Sequence, residues 1–274
     1  MLNIYYLSGD QSNKIDLTSW PYWMQTGDFL DYEKSYTETM NRIRDFKNVL
    51  KERYFTITVF GENEQDYYDN LNFLHEVFEK DVANLTPGKL YFQDSYLQCY
   101  IIASTKTEWE DTDCMMDNEI KIIPAYQSWI QEETRQFFPN TQSESSGGLD
   151  FPFDFSFDFA ADDSGYEQWN VDHYASSHFK MTIYGPCVNP MILINGYPRQ
   201  VFVTLEENEY LVIDSRDSTV VKHLANGTTE NAYNSRQFHP TIFEKIPGGL
   251  LNVDWPGTFG FDVTLFIERS EPRW

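Results

Sequence analysis

Phe151-Pro-Phe-Asp-Phe-Ser-Phe-Asp-Phe159 puts an aromatic ring at every second position and sets Pro152, Asp154, Ser156 and Asp158 between them. Successive side chains of an extended strand point to opposite faces, so a period of two gathers five rings on one side and the polar groups on the other. The stretch predicts a strand with one face against a core. The same alternation recurs in Phe179-Lys-Met-Thr-Ile183 and in the series Phe259, Phe261, Val263, Leu265 and Ile267. Two apolar runs, 191–194 and 197–205, flank Asn195-Gly196. A two-residue hairpin loop needs positive φ at both positions, and Asn-Gly is the pair that tolerates it best. Leu211-Val-Ile213 and Val220 to Leu224 read as further short strands before a second Asn-Gly, Asn226-Gly227. Short alternating strands broken by frequent turns predict an antiparallel sandwich of roughly eight strands.

Upstream of this region, Pro139 is followed by Asn140-Thr-Gln-Ser-Glu-Ser-Ser-Gly-Gly148, a small, polar, glycine-ended run suited to a linker. It divides the chain into 1–138, a linker at 139–150, and 151–274. The first part reads as mixed. Phe55-Thr-Ile-Thr-Val-Phe60 has the β-branched and aromatic alternation of a strand. From Asp66 the spacing changes. Tyr67, Leu71, Leu74 and Phe78 share one helical face, and Asp69, Asn72, Glu76 and Glu79 the other, which predicts a helix over about 66–81 with Asp66 as N-cap. Pro87-Gly88 marks a turn. Strands are expected over 89–102 and over 119–130, and Trp20 to Trp23, around Pro21, reads as a loop or strand end. The fold class is therefore mainly β with one helix, a β-rich α+β chain.

Composition narrows the function. Hydrophobic residues make up 41% of the 274, enough for a true core, and aromatics reach 17%, which favours strands and contact surfaces. The formal net charge is −23, spread as 12 basic and 24 acidic side chains in 1–138 and 8 and 19 in the remainder. Phosphate recognition requires clustered Lys and Arg, so specific nucleic-acid binding is excluded as an expectation, and an anionic membrane would repel the chain. No run is apolar enough to cross a bilayer, and Asp10, Lys14 and Asp16 interrupt the N-terminal region too early for a signal peptide. Cys99, Cys114 and Cys187 are too few and too scattered for a disulfide framework or a zinc site, which points to synthesis in a reducing cytoplasm.

Chemistry is sought and not found. There is no G-x-S-x-G elbow, no phosphate-cradling glycine loop and no H-E-x-x-H pair. His75, His173, His178, His223 and His239 do not cluster at ligand spacing. Asp154 and Asp158 on one strand face would stand about 13 Å apart, too far to share a calcium ion with Asp162 and Asp163. The 43 acids offer many pairs for glycoside hydrolysis, but nothing singles one out. Tyr166, Trp169, Tyr174 and Tyr184 could stack on sugar rings, or could fill a core or a subunit interface. The expectation is a non-enzyme with no catalytic residue, no metal and no cofactor.

Several segments, in order, resemble the distal tail protein family of long-tailed bacteriophages. Phe151-Pro-Phe-Asp-Phe155 is similar to the opening of the family's C-terminal domain. Ile183-Tyr-Gly-Pro-Cys-Val-Asn-Pro190 and Met191-Ile-Leu-Ile-Asn-Gly196 are similar to its next turn and hairpin. Glu209-Tyr-Leu-Val-Ile-Asp214, Phe243-Glu-Lys-Ile-Pro-Gly-Gly249 with Asn252 and Val253, Phe261-Asp-Val-Thr-Leu265 and Pro272-Arg-Trp274 complete the series. Ile120-Lys-Ile-Ile-Pro-Ala-Tyr126 extends the resemblance more loosely into the first half. The resemblance implies an N-terminal belt domain that closes a homo-hexameric ring around a channel. It also implies a C-terminal galectin-like β-sandwich, with the last residues of the chain packing on the N-terminal domain.

Partners implied are the tail tube protein above, a tail-associated tip protein below and receptor-binding proteins, at the tip of a virion tail. An acidic channel lining would let DNA slide without adhering. The galectin motifs H-x-N-P-R and W-x-x-E-x-R are absent, so the sandwich is expected to be a docking platform. A carbohydrate-binding or adhesin module and a sandwich-fold glycoside hydrolase stand as the alternatives.

Overall fold

The structure, a computed structural model, describes residues 2–106, 114–140 and 165–274. The Phe151–Phe159 stripe, the acidic cluster from Asp154 to Asp163 and all but the first two residues of the expected linker lie outside the described residues. The chain forms two compact units, one of residues 1–131 with 268–274 and one of residues 132–267.

The first unit comprises β1 (Ile4–Leu7), β2 (Lys14–Asp16), β3 (Thr18–Ser19), β4 (Tyr22–Gly27), β5 (Lys34–Thr39), β6 (Arg42–Asn48), β7 (Arg53–Phe60), α1 (Glu64–Ala83), β8 (Gly88–Phe92), β9 (Ser95–Lys106) and β10 (Met115–Pro124), and β11 (Trp129–Phe137) begins in it. Its ladder runs β2-β1-β8-β9-β10-β7-β4-β3, antiparallel throughout. Phe55, Ile57 and Val59 point inward from β7, as their alternation predicts, and the strand starts two residues earlier than read, at Arg53. The single strand expected over 119–130 is two. Pro124, which has no N–H to give a ladder, closes β10, and Trp129 and Ile130 open β11. Trp20-Pro21 is a cis bond in the turn between β3 and β4. Trp274 meets Phe92 edge-on with ring centroids 5.4 Å apart.

Helix α1 extends beyond the expected 66–81, and its cap is Asn63 instead of Asp66. The Asn63 side chain accepts from the Asp66 N–H at 3.0 Å, and the Asp66 carboxylate reaches back to the Glu62 N–H at 2.8 Å. Asp66 is thus the return arm of a reciprocal cap three residues inside the helix. Tyr67, Leu74, Val77 and Phe78 are buried on the sheet with Leu71 partly so, and Asp69, Asn72, Glu76 and Glu79 face solvent. Asp81 breaks the pattern. It is buried, accepting from the Tyr6 hydroxyl at 2.8 Å and the Gly9 N–H at 2.9 Å.

The second unit holds the rest of β11, then β12 (Gly165–Val171), β13 (His178–Tyr184), β14 (Cys187–Val188), β15 (Met191–Ile194), β16 (Tyr197–Gln200), β17 (Thr204–Leu205), β18 (Tyr210–Asp214), β19 (Thr219–His223), β20 (Thr229–Asn231), β21 (Gly249–Trp255) and β22 (Phe261–Arg269), whose last two residues belong to the first unit. One sheet is ordered β20-β19-β18-β13-β22 and another β12-β21-β15-β16, with β14 and β17 as a separate pair. Phe179, Met181, Ile183, Leu211, Ile213, Phe261, Val263 and Leu265 from the first sheet share a core with Trp169, Val171, Ile192, Ile194, Leu251 and Val253 from the second. The result is the expected antiparallel sandwich, cut more finely than eight strands; the 197–205 run, for one, breaks into β16 and β17.

Asn195 and Gly196 take φ of 51° and 75° and Ile194 pairs with Tyr197, which makes the expected two-residue hairpin loop. At the second Asn-Gly only Gly227 is left-handed, and Leu224 bonds Thr228 across a three-residue loop. In the Phe243–Gly249 segment, Ser177 and Ile246 exchange backbone hydrogen bonds. Gly248 follows because a Cβ there would stand 1.8 Å from the His173 carbonyl oxygen, and Gly249 because its φ is +90°.

Candidate assembly surface

Among the described residues no group of three or more His, Cys, Asp or Glu is placed to hold a metal ion. The histidines fall on separate elements: His75 on α1 beside Lys106, His173 against Tyr174, His178 beside Ser215, His223 stacked on Tyr210, and His239 in a cis bond to Pro240. Of the four aromatics with a possible sugar-stacking role, Trp169 is in the core and donates to Glu133 at 3.1 Å. Tyr166 and Tyr184 lie on different sheets, donating to Asn252 and Asp262, and Tyr174 is exposed in a loop. These rings do not share one platform. Burial pushes the Cys99 thiol up to about 12, which leaves it protonated and unreactive at neutral pH.

Two arginines are buried without a carboxylate in hydrogen-bonding contact. Arg199 donates to the Glu244 carbonyl at 2.9 Å and lies over the rings of Phe179 and Tyr197. Burial pushes its guanidinium down to about 10. Arg53 donates to the Phe29 carbonyl at 2.9 Å. The Asp28 carboxylate accepts from the Tyr54 N–H at 2.5 Å, and the Asp28 N–H bonds the Tyr54 carbonyl at 2.9 Å. This cluster fixes the root of the most unusual feature of the surface.

That feature is the β5–β6 hairpin, in which every residue is exposed and, among the described residues, neither strand joins a larger sheet. Pairing of Tyr36 with Phe46 and of Glu38 with Ile43 places three apolar side chains on one face. They are 61%, 60% and 54% exposed for Tyr36, Phe46 and Ile43. The other face carries the pairs Ser35–Lys47, Thr37–Asp45 and Thr39–Arg42. A β-bulge separates Thr37 from Glu38, and Met40 and Asn41 form the tip with φ of 52° and 58°. An amphipathic two-stranded ribbon is at best marginal alone in water, so its bare apolar face needs a partner. Lys34, Arg42, Arg44 and Lys47 against Glu38 and Asp45 give this arm +2 on a chain of −23. Sequence reading missed it because its turn is Met-Asn and not Asn-Gly. The signal that could have found it is this local excess of basic residues interleaved with Tyr36, Ile43 and Phe46.

No protein-family model matches the chain, and no curated protein does. Solved structures do. A chain of the phage P2 baseplate in its activated conformation with Ca superposes with a TM-score of 0.67 at 13% identity, covering 99% of this chain and 100% of that one. The same baseplate with Sr gives 0.66 at 13% identity over the same shares. The SPP1 Dit protein, described as a paradigm of hub adsorption apparatus in phages that infect Gram-positive hosts, gives 0.60 at 9% identity over 97% and 99%. The chain has the fold of these phage baseplate and Dit proteins. The shared fold extends over both units, including the first, where the sequence resemblance was the looser.

Proposed function

We propose that this chain is a structural hub subunit of a phage or prophage tail tip and has no enzymatic activity. Six copies close a ring through the first unit, joining the tail tube above to a tail-associated tip protein below. The second unit serves as a galectin-like sandwich that docks receptor-binding proteins. The chain is made in the bacterial host cytoplasm and resides in the virion tail tip. The observation that carries this reading is the Dit-like fold over 97% or more of the chain, joined to an exposed amphipathic arm that a lone protomer leaves uncovered. Ring closure needs a donor and an acceptor surface on each copy, and the arm is the donor.

Light scattering after size-exclusion chromatography tests the proposal. Six copies support it. A monomer at every concentration that is retained on a glycan array favours the carbohydrate-binding reading instead. The lumen of the ring is expected to be acidic, and a ring structure with a basic lumen overturns that part.

A further inference from the structure

The first unit contains a second uncovered feature. Strand β9 is paired on both sides at Cys99, with Gly88 of β8 opposite Pro124 of β10. Beyond it, from Tyr100 to Lys106, β10 occupies one side, and among the described residues no strand occupies the other. Helix α1 runs alongside that open edge. Between them lies a groove of about 350 Å³ lined by His75, Phe78, Glu79, Val82, Ile101 and Ile102. Val82 and Ile102 are exposed, which makes the floor apolar. The helix bounding it carries six acids and one lysine, and Glu76 and Glu79 face solvent. Lys106 closes one end, its Nζ 3.0 Å from His75 Nε2.

An unpaired strand edge beside an apolar groove accepts an extended segment by adding it as a further strand. The segment must bring apolar side chains and, beside this helix, positive charge. The β5–β6 arm brings Tyr36, Ile43 and Phe46 with Lys34 on the same face, in a ribbon of net charge +2. In the ladder β9-β10-β7-β4-β3 the arm connects β4 to β7, with β7 and β10 between β4 and the open β9 edge. Donor and acceptor therefore occupy different borders of one unit, the arrangement of a head-to-tail contact that can close on itself.

We propose that the β5–β6 arm of one copy docks along the Tyr100–Lys106 edge of β9 in the next, its apolar face on the α1–β9 groove and Lys34, which shares that face, toward Glu76 and Glu79 of α1. The inference rests on the ring reading and names the acceptor for its donor arm.

The test uses the full chain. Rings assembled from equal parts of light and ¹⁵N-labelled protein are treated with a zero-length carbodiimide, and heavy-to-light links of Lys34 to Glu76 or Glu79 are sought by mass spectrometry. In parallel, Lys34→Glu, and Glu76→Lys with Glu79→Lys, are each expected to raise the concentration at which rings dissociate by about tenfold, and the three together to restore it. All three positions are exposed, so each variant should keep the thermal midpoint of the parent. Rings that form normally in both reversed variants, or inter-copy links that avoid the helix, overturn the docking and leave the ring standing. A parent chain that is monomeric throughout overturns both.

Discussion

Replacing Tyr36, Ile43 and Phe46 together by serine should abolish assembly while leaving the protomer intact. Complete burial of one such side chain is worth about 1.5–3 kcal/mol. In the protomer these three remain 61%, 54% and 60% exposed, so somewhat over half of each gain is still available to a partner. That leaves about 1–1.5 kcal/mol per residue and roughly 3–5 kcal/mol per contact, before the entropy of ordering the side chains is subtracted. At 1.4 kcal/mol per decade the contact weakens roughly a hundredfold to a thousandfold. A closed ring repeats the contact at every boundary, so the triple variant should run as a monomer at concentrations where the parent does not. Light scattering over a concentration series reads the copy number, and thermal unfolding reads the protomer. Inside the protomer the Tyr36–Phe46 pair contributes only about 0.2–1 kcal/mol to the hairpin itself, so the unfolding midpoint should scarcely move. A triple variant that assembles like the parent refutes the reasoning. So does one whose midpoint collapses, since the face would then belong to the fold.

The fold itself offers further tests. Asp81→Ala leaves the buried Tyr6 hydroxyl and the half-buried Gly9 N–H without an acceptor and should cost about 2–4 kcal/mol in urea unfolding. Burial holds the Asp81 carboxyl above its ordinary value of 3.8 against the opposing pull of its two hydrogen bonds, so the folded state keeps that proton more readily than the unfolded chain. Its contribution to stability is complete below the unfolded value and lost as pH rises through the folded one. The stability of Asp81→Asn relative to the parent should therefore improve between pH 4 and pH 7, and an opposite trend would contradict the assignment. Arg199→Met should change stability by less than about 1.5 kcal/mol, because methionine fills much of the volume and no buried carboxylate is orphaned, whereas Arg199→Ala should cost about 3 kcal/mol through its cavity. Gly248→Ala drives a methyl into the His173 carbonyl and should cost about 1–3 kcal/mol or more, while Gly196→Ala meets no atom within 4 Å and should cost only the left-handed strain of about 1–2 kcal/mol.

The elements legible in the sequence are those in which one local rule operates alone. Asn195-Gly196 fixes its own hairpin, since few pairs accept two positive φ values, and the alternation from Phe261 to Ile267 survives because both its neighbours and its core are regular. The helix face was readable from Tyr67 and Leu74, yet its start was not, because Asn63 and Asp66 are both good capping residues and only the reciprocal hydrogen bonds decide between them. Pro124 carried the end of β10 in its missing N–H, a signal outweighed by the apolar run continuing past it. The arm and the α1–β9 groove were invisible for a different reason. Exposure of Tyr36 or Ile102 is a property of the packed unit, and a sequence marks such residues as core candidates like any other. Arg199 is likewise unreadable, since nothing local distinguishes an arginine that lies over Phe179 from one in water.

The bare hairpin also affects the subunit's life before assembly. Its strands keep unpaired outer edges and an oily side, the combination from which unwanted fibres grow. Arg42, Arg44 and Lys47 crowd three like charges onto β6, so two hairpins meeting edge to edge repel each other. These charges would thus keep freshly made copies apart in a crowded cell until the intended neighbour arrives.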